Sequence, residues 1–139
     1  MIGLTDVGLT YEVPLALEAE GLDDIVVKYL NLKSEKADLR EWREMVEAMK
    51  YPVKTIKVAI VGKYIELTDA YLSIVEALKH GGVANKVGVE IKWINAEDLE
   101  QIQNLEPYFR DVQGILVPGG FGVRGIEGKI KAIQYAREE

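Results

Sequence analysis

The sequence contains no cysteine and a single histidine, His80, among its 139 residues. Without cysteine, this chain can form no disulfide bond, no zinc–thiolate site and no thiol nucleophile. A single histidine also excludes a metal site built from several histidines. His80 follows a predicted helix and precedes Gly81-Gly82. A cation at that position is favoured by the helix dipole, which explains the residue more simply than a catalytic role does.

An excess of basic residues is missing as well. The 17 Lys and Arg residues stand against 23 Asp and Glu residues, for a formal net charge of −6. A general nucleic-acid-binding protein would present a basic face, so no nucleic-acid partner is expected. No apolar run is long enough to cross a bilayer and no signal-peptide pattern opens the sequence. We therefore expect a cytoplasmic protein with no membrane partner.

Residues 1–54 carry helix-forming patterns. Pro14 suits the first turn of one helix, and a second helix is predicted at 22–30. Asp38 and Glu41 have the spacing of a capping box for a third helix. Apolar residues then recur at intervals of three and four on one face of that third helix: Leu39, Trp42, Val46 and Met49.

Beyond residue 54 the pattern changes to alternating strands and helices. Strands are predicted at 56–61, 88–94 and 113–117, and helices at 69–79, 96–103 and 125–137. Gly81-Gly82 is expected to end the 69–79 helix. This alternation implies an α/β fold, with flanking helices on both faces of a parallel sheet. Three strands make an incomplete sheet whose unpaired edge favours self-association.

Glycine is concentrated between the third strand and the last helix, in the stretch Val117-Pro-Gly-Gly-Phe-Gly-Val-Arg-Gly125. Glycines at such a junction leave backbone N–H groups open to an oxyanion or a phosphate. Gly120-x-Gly122-x-x-Gly125 matches the dinucleotide fingerprint, but it follows the third strand, and the acidic ribose partner would fall beyond Glu139. The phosphate-loop pattern fails because Gly128-Lys129 is followed by isoleucine.

Two interpretations of this loop remain open from the residues alone. A tight strand-to-helix turn needs glycine only for its backbone dihedrals. Alternatively, N–H groups at the carboxyl edge of the sheet hold a tetrahedral oxyanion, where each donor contributes about 2.7–4 kcal/mol in acyl transfer. The second interpretation requires a nucleophile and a base, and neither is evident in the sequence.

Three blocks of residues, in order, resemble the CTP synthase family. The first spans 11–25, the second 61–82, and the third 117–128; their signatures are Tyr-Glu-Val-Pro14, Val-Gly-Lys-Tyr-Ile-Glu-Leu67 and Val-Pro-Gly-Gly-Phe-Gly122. The third block alone is typical of class I glutamine amidotransferases. Members of the CTP synthase family convert UTP to CTP with ATP and Mg²⁺. They use ammonia that a Cys-His-Glu triad releases from glutamine, and GTP activates them.

The resemblance implies a division of the chain. Residues 1–54 would be the helical end of a synthetase domain with the interdomain linker. Residues 55–139 would be the first part of a flavodoxin-like amidotransferase domain. The triad, the UTP site and the phosphate loop would lie outside this sequence. We therefore expect the chain alone to bind no cofactor or metal and to be inactive, with the remainder of a CTP synthase as its partner.

The resemblance also implies a glutamine site in the glycine-rich loop. Gly120 would supply the oxyanion-hole N–H for the glutamine carbonyl. Gly119 would let the backbone approach the substrate, while Phe121 and Gly122 would shape the pocket.

Nucleotide contacts are implied at two other places. Arg124, Gly125 and Glu127 match the segment implicated in binding GTP. Asp6 and Val7 match the segment that borders the adenine of ATP, although the three residues that follow depart from the family pattern. Two alternatives to a CTP synthase segment are a free-standing α/β module that binds a nucleotide or regulates an enzyme, and an interaction fragment without a ligand.

Overall fold

The computed structural model describes residues 2–3 and 6–139. The chain divides into two compact units between Tyr51 and Pro52. This boundary lies close to residue 54, where the sequence pattern changes. The assignment of residues 1–54 to the end of a synthetase domain stays a prediction.

The first unit consists of short helices. Its elements are a 3₁₀ helix at Thr10–Glu12, α1 at Val13–Ala19, α2 at Leu22–Tyr29 and α3 at Arg40–Lys50. Pro14 lies in the first turn of α1, as predicted. The indole N–H of Trp42 donates to the carbonyl oxygen of Tyr11 at 2.8 Å, and Val46 is buried. The predicted apolar face of α3 therefore does pack within this unit.

The capping box predicted for Asp38 and Glu41 is wrong. The helix begins at Arg40, with Leu39 before it and no capping side chain. The Asp38 carboxylate instead accepts a hydrogen bond from the backbone N–H of Arg40 at 3.0 Å and pairs with its guanidinium at 2.7 Å. An arginine two residues away satisfies the carboxylate locally, and the hydrogen bonds from Arg40 lower the pKa of Asp38.

The second unit is an open parallel sheet with helices, which confirms the predicted fold class. Its strands are β1 at Lys54–Gly62, β2 at Val87–Asn95 and β3 at Gly114–Leu116. The strand order is β2-β1-β3, and both pairings are parallel. Its helices are a 3₁₀ helix at Thr68–Tyr71, α4 at Leu72–Ala84, α5 at Ala96–Glu100, α6 at Glu106–Phe109 and α7 at Ile126–Glu138.

Helices lie on both faces of this sheet. Ala59 and Val61 of β1 belong to a buried core with Leu99 of α5 and Ala132 of α7. Because side chains alternate along a strand, Val58 faces the opposite side, where it lines a cavity with residues of α4. The central strand is therefore buried on both faces, which explains its nearly continuous apolar sequence.

The predicted end of α4 is wrong, because this helix continues through Gly81 and Gly82 to Ala84. His80 consequently lies inside the helix and does not close it. A Cβ on Gly82 would stand 2.6 Å from the carbonyl oxygen of Val87 and 2.9 Å from a methyl carbon of Val89. Gly82 thus serves the close approach of helix to strand, and the chain turns later, at Lys86, whose φ is 56°.

Smaller differences lie between β2 and α7. Helix α5 ends at Glu100 rather than at residue 103, and β3 is shorter than the predicted 113–117 strand. The sequence patterns did not predict α6. The Asn104 side chain, two residues before it, accepts a hydrogen bond from the N–H of Glu106 at 3.1 Å, and the helix buries Phe109 in the core. A single helical turn is too short to show a periodic pattern.

Candidate functional site

The glycine-rich loop lies at the carboxyl edge of the sheet. It connects β3 to α7, and Leu116 at the end of β3 pairs with Ile60 near the end of β1. Lys63 follows β1 at the same edge. Ligands of open α/β sheets bind at this edge, so the loop lies where the strand-to-helix pattern of the sequence predicts it.

Two lysine side chains hold the loop by its carbonyl groups. Lys63 is 7% exposed, and its Nζ donates to the carbonyl oxygens of Phe121 at 2.9 Å and Gly122 at 2.7 Å. Lys129 of α7 donates from its Nζ to the carbonyl oxygen of Pro118 at 2.8 Å. Sequence reasoning missed both roles. The available signal was a lysine directly after a buried apolar strand, where a cation is rarely buried without partners.

The backbone N–H groups of the loop are unused. No hydrogen bond within the described part of the chain involves the N–H of Gly119, Gly120, Phe121 or Gly122. All four residues are exposed. The loop therefore keeps a row of donors for a partner outside the described residues, as an anion site requires.

The glycines of the loop differ in what they provide. Gly122 and Gly125 have φ values of 78° and 72°, in the left-handed region that other residues rarely adopt. The tight-turn interpretation is therefore correct for these two positions. Gly119 does not have a left-handed φ, and an added Cβ there would meet no atom within 4 Å. A turn requirement does not explain glycine at this position.

Two lysine side chains lie on the side of Gly120 where a Cβ atom would project. The Nζ of Lys129 is 3.6 Å from the position that a Gly120 Cβ would occupy, and the Cδ of Lys63 is 3.8 Å from it. Within the described residues, neither lysine has a carboxylate within ion-pair distance. Burial and repulsion from Lys63 lower the pKa of Lys129. The potential at the loop therefore favours an anion.

The segment after β1 is fixed by a buried tyrosine. The hydroxyl oxygen of Tyr71 accepts from the N–H of Lys63 at 3.1 Å and from the N–H of Tyr64 at 3.3 Å. The Tyr71 ring stacks on Trp93 with a centroid distance of 5.9 Å. A Cβ on Gly62 would stand 2.7 Å from the same hydroxyl, so glycine is needed there for packing. These contacts place the Lys63 backbone at the edge of the sheet.

The residues expected to contact GTP lie around the start of α7. The Nη1 of Arg124 is 3.1 Å from a carboxylate oxygen of Glu97, and its guanidinium carbon is 5.8 Å from the ring centroid of Tyr64. Gly125 is buried and precedes the first residue of α7, while Glu127 is exposed in the first turn. The structure thus brings these three predicted residues to one helix terminus beside the loop.

Asp6 and Val7 belong to the first unit. They line an open cavity of about 610 Å³, together with Leu9, Glu12, Met49 and Lys50 among others. Glu12 and Lys50 form an ion pair there at 2.8 Å. The cavity has a size that suits a small ligand, and the predicted adenine contacts lie on its wall.

The described residues contain no group of three or more His, Asp or Glu side chains placed to bind a metal ion. None of their helices is both long and apolar enough to cross a bilayer.

Comparison with known proteins identifies the family. Residues 66–139 match the model of the class I glutamine amidotransferases. Over 128 residues, or 92% of this chain, it is 56% identical to the CTP synthase of Thermus thermophilus. Over all 139 residues it is 49% identical to the CTP synthase of Rippkaea orientalis. These stretches cover 23% and 25% of the two relatives, so the chain spans about a quarter of their length.

A solved structure agrees with this result. The glutaminase domain of a Trypanosoma brucei CTPS with bound acivicin superimposes with a TM-score of 0.51 and 36% sequence identity. The match covers 59% of this chain and 32% of that one. The comparisons give no support to a free-standing regulatory module. They confirm the resemblance to the CTP synthases that the three sequence blocks carried, and the chain belongs to the class I glutamine amidotransferase family.

Proposed function

We propose that this chain supplies the oxyanion-binding loop of the glutamine-hydrolysing half of a CTP synthase. The N–H of Gly120 donates to the carbonyl oxygen of glutamine as that oxygen gains negative charge. Gly119, Phe121 and Gly122 form the adjoining wall of the glutamine site. The observation that carries this proposal is the row of unused N–H groups at the carboxyl edge of the sheet. Donors of this kind, preorganised for the charged transition state, are worth about 10²–10³-fold in rate each.

The attacking group must come from outside this chain, because the sequence contains no cysteine. In the proposed reaction a thiolate attacks the amide carbon, and the carbonyl oxygen becomes an oxyanion on the loop. The C–N bond then breaks as a general acid outside this chain protonates the nitrogen, which leaves as ammonia, and water hydrolyses the resulting thioester to glutamate. We expect the purified chain alone to release no ammonia from glutamine. Ammonia release that scales with the amount of chain would contradict the proposal.

Nucleotide contacts form the second part of the proposal. Arg124, Gly125 and Glu127 bind GTP, the activator, at the start of α7. Asp6 and Val7 border the adenine of ATP. These roles rest on the motif match. The exposure of Arg124 and the cavity beside Asp6 support them, since both leave room for a ligand.

The proposed partners are those of a complete CTP synthase. They are the remainder of that enzyme, glutamine and the nucleotides. The Mg²⁺ that accompanies ATP would be held by residues outside this chain, and we propose that the enzyme works in the cytoplasm. Self-association of the isolated chain is also proposed. Among the described residues β3 pairs with β1 alone, and Ile126, Ile130 and Ile133 of α7 are exposed. A sedimentation experiment that finds only monomer at high concentration would contradict the last point.

A chimera tests the oxyanion role in an active enzyme. The 139-residue chain replaces the matching segment of the Rippkaea orientalis CTP synthase. Gly120→Pro removes one N–H donor, so we expect glutamine-dependent CTP formation to fall at least about a hundredfold. CTP formation from added ammonia should stay within about twofold. Gly120→Ala keeps the N–H group and should retain more of the glutamine-dependent rate than Gly120→Pro.

Equal loss of the glutamine-dependent and ammonia-dependent rates in Gly120→Pro would show that the loop is only structural. The effector role is tested separately. Arg124→Ala should weaken activation by GTP more than it lowers the basal rate, because the guanidinium is the natural partner of a phosphate. An unchanged activation curve would refute the assignment of Arg124.

A further inference from the structure

We propose that Lys63 is a positioning residue for glutamine hydrolysis: it fixes the peptide groups of the glycine-rich loop so that their N–H groups face the oxyanion. Lys129 has the same function on the other side of Gly120. This inference rests on the proposed function. It concerns residues that lie behind the loop and do not contact the substrate.

A glycine-rich loop does not select one peptide orientation by itself. Glycine adopts positive and negative φ about equally well, so the peptide groups around Gly119, Gly120 and Gly122 can rotate at little cost. In one orientation the N–H groups face outward, and in the other the carbonyl oxygens do. An outward carbonyl would repel an oxyanion. Another group must therefore stabilise one of the two orientations, and it can do so only by bonding to the peptide N–H or C=O groups.

The lysine side chains stabilise one orientation by donating hydrogen bonds to the carbonyl oxygens of the loop. No peptide bond of the described residues is cis, so the N–H and C=O of each peptide point in opposite directions. The Nζ of Lys63 donates to the carbonyl oxygens of Phe121 and Gly122, so both carbonyls point toward the buried lysine. The N–H groups of Gly122 and Val123 therefore point away from the lysine. In the same way, Lys129 binds the carbonyl of Pro118, so the N–H of Gly119 points outward.

These contacts flank Gly120 on both sides. The peptide at 118–119 is held by Lys129 and those at 121–122 and 122–123 by Lys63, so the two peptides of Gly120 lie between fixed neighbours. Lys63 is itself held, because it is buried and Tyr71 fixes its backbone N–H. A buried ammonium is expensive unless it is hydrogen-bonded, and the loop carbonyls supply those bonds. Each partner therefore keeps the other in place.

Charge adds to the geometric effect. Neither lysine is neutralised by a carboxylate in the described part of the chain, so both ammonium charges act on the loop. An oxyanion bound to the N–H groups would be attracted by both ammonium charges, from which only the loop backbone would separate it. Charges that are already in place before the reaction lower its barrier without reorganisation.

The test uses the Rippkaea orientalis chimera and the variant Lys63→Met, which keeps much of the side-chain volume and removes the donors. We expect kcat for glutamine-dependent CTP formation to fall by about a hundredfold. The KM for glutamine should change by less than threefold, and the ammonia-dependent rate by less than twofold. Lys129→Met should give a smaller loss of the same kind, because it holds one carbonyl rather than two.

The matched control is Lys131→Met. Lys131 is a half-buried lysine of α7, and its Nζ donates to the carbonyls of Leu99, Glu100 and Ile102, away from the loop. Its loss removes at least as many lysine–carbonyl bonds, so any general loss of stability should be similar. We expect the ratio of glutamine-dependent to ammonia-dependent rates to stay unchanged in this variant. Lys63→Arg, which restores donors and charge, should recover part of the kcat lost in Lys63→Met.

Two failures can be told apart. If Gly120→Pro lowers both rates equally, the proposed function is wrong. If Gly120→Pro acts as expected but Lys63→Met behaves like Lys131→Met, the positioning inference alone is wrong. A loss in Lys63→Met that appears entirely in KM would also overturn it, because a preorganised loop acts on the transition state rather than on ground-state binding.

Discussion

Glycines in two regions of the second unit meet opposite surroundings. Where α4 and α7 pack on their neighbours, an added Cβ on Gly82 would stand 2.6 Å from a carbonyl oxygen, and one on Gly128 would overlap the carbonyl oxygen of Ala96. In the loop, an added Cβ on Gly119 or Gly122 would meet nothing within 4 Å. The first glycines allow close packing of backbone, and the second lie on an open surface, where we propose that glutamine binds. Substitution by alanine should separate these two purposes.

Gly128→Ala should have the largest effect on stability. The new methyl group overlaps the Ala96 carbonyl, so α7 must move away from α5. We expect the free energy of unfolding to fall by about 3 kcal/mol, more than the roughly 1 kcal/mol that alanine gains in a helix. Urea unfolding of the chain measures it, with Trp93 fluorescence as the signal in a Trp42→Phe background. A loss below about 1 kcal/mol would show that this packing is not tight.

Gly82→Ala should have the next largest effect. Its methyl group would press on the Val87 carbonyl and the Val89 side chain, for a net loss of about 1–2 kcal/mol in the same assay. Gly81→Ala is the matched control, because the adjacent glycine has the same helix and open space around it. The control should gain up to about 1 kcal/mol from helix propensity. Equal effects at the two positions would refute the packing role of Gly82.

Gly122→Ala should cost about 1 kcal/mol. Space is available, but its φ of 78° is unfavourable for a residue with a Cβ. Gly122→Asn should cost less, since asparagine tolerates the left-handed region better than alanine does. Urea unfolding with the Trp93 signal compares the two variants. An equal loss in both would point to something other than backbone strain.

Gly119→Ala should have the smallest effect on stability, within about 0.5 kcal/mol. The methyl group meets no protein atom and φ is not left-handed. In the chimera, however, the same variant should raise the KM for glutamine, because the methyl group would occupy the surface where we propose that glutamine binds. Unchanged stability together with an unchanged KM would show that the open space around Gly119 has no role in binding glutamine.

How far the sequence predicted the fold depended on the range of the interactions. The three strands, the alternation of strands with helices and the helix with Trp42 and Val46 on one face follow from local periodicity, and the structure confirms them. The single turn of α6 does not follow from local periodicity. The predicted end of α4 is wrong because a pair of glycines is only a local signal for the end of a helix. Glycine is instead required at position 82 because the helix packs closely against Val87 and Val89 of a strand that comes later in the chain.

The candidate site shows the same limit. The sequence located the loop, and the resemblance named its residues, whose roles in binding remain predictions. It did not reveal Lys63, which is 58 residues away from Phe121 in sequence and contacts its carbonyl oxygen only through the parallel pairing of β1 with β3. Nor could the sequence show that the N–H groups of the loop are unused, since that depends on where every neighbouring carbonyl lies.

The sequence by itself determined the α/β pattern, the glycine-rich junction and, through three blocks of residues, the resemblance to a family. These features need only local periodicity and short motifs, so they can be read from neighbouring residues. The tertiary structure alone decided which glycines pack, which stay open, and which lysines hold the loop from behind. Those outcomes depend on contacts between distant segments, and a sheet brings such segments together only when its strands are paired.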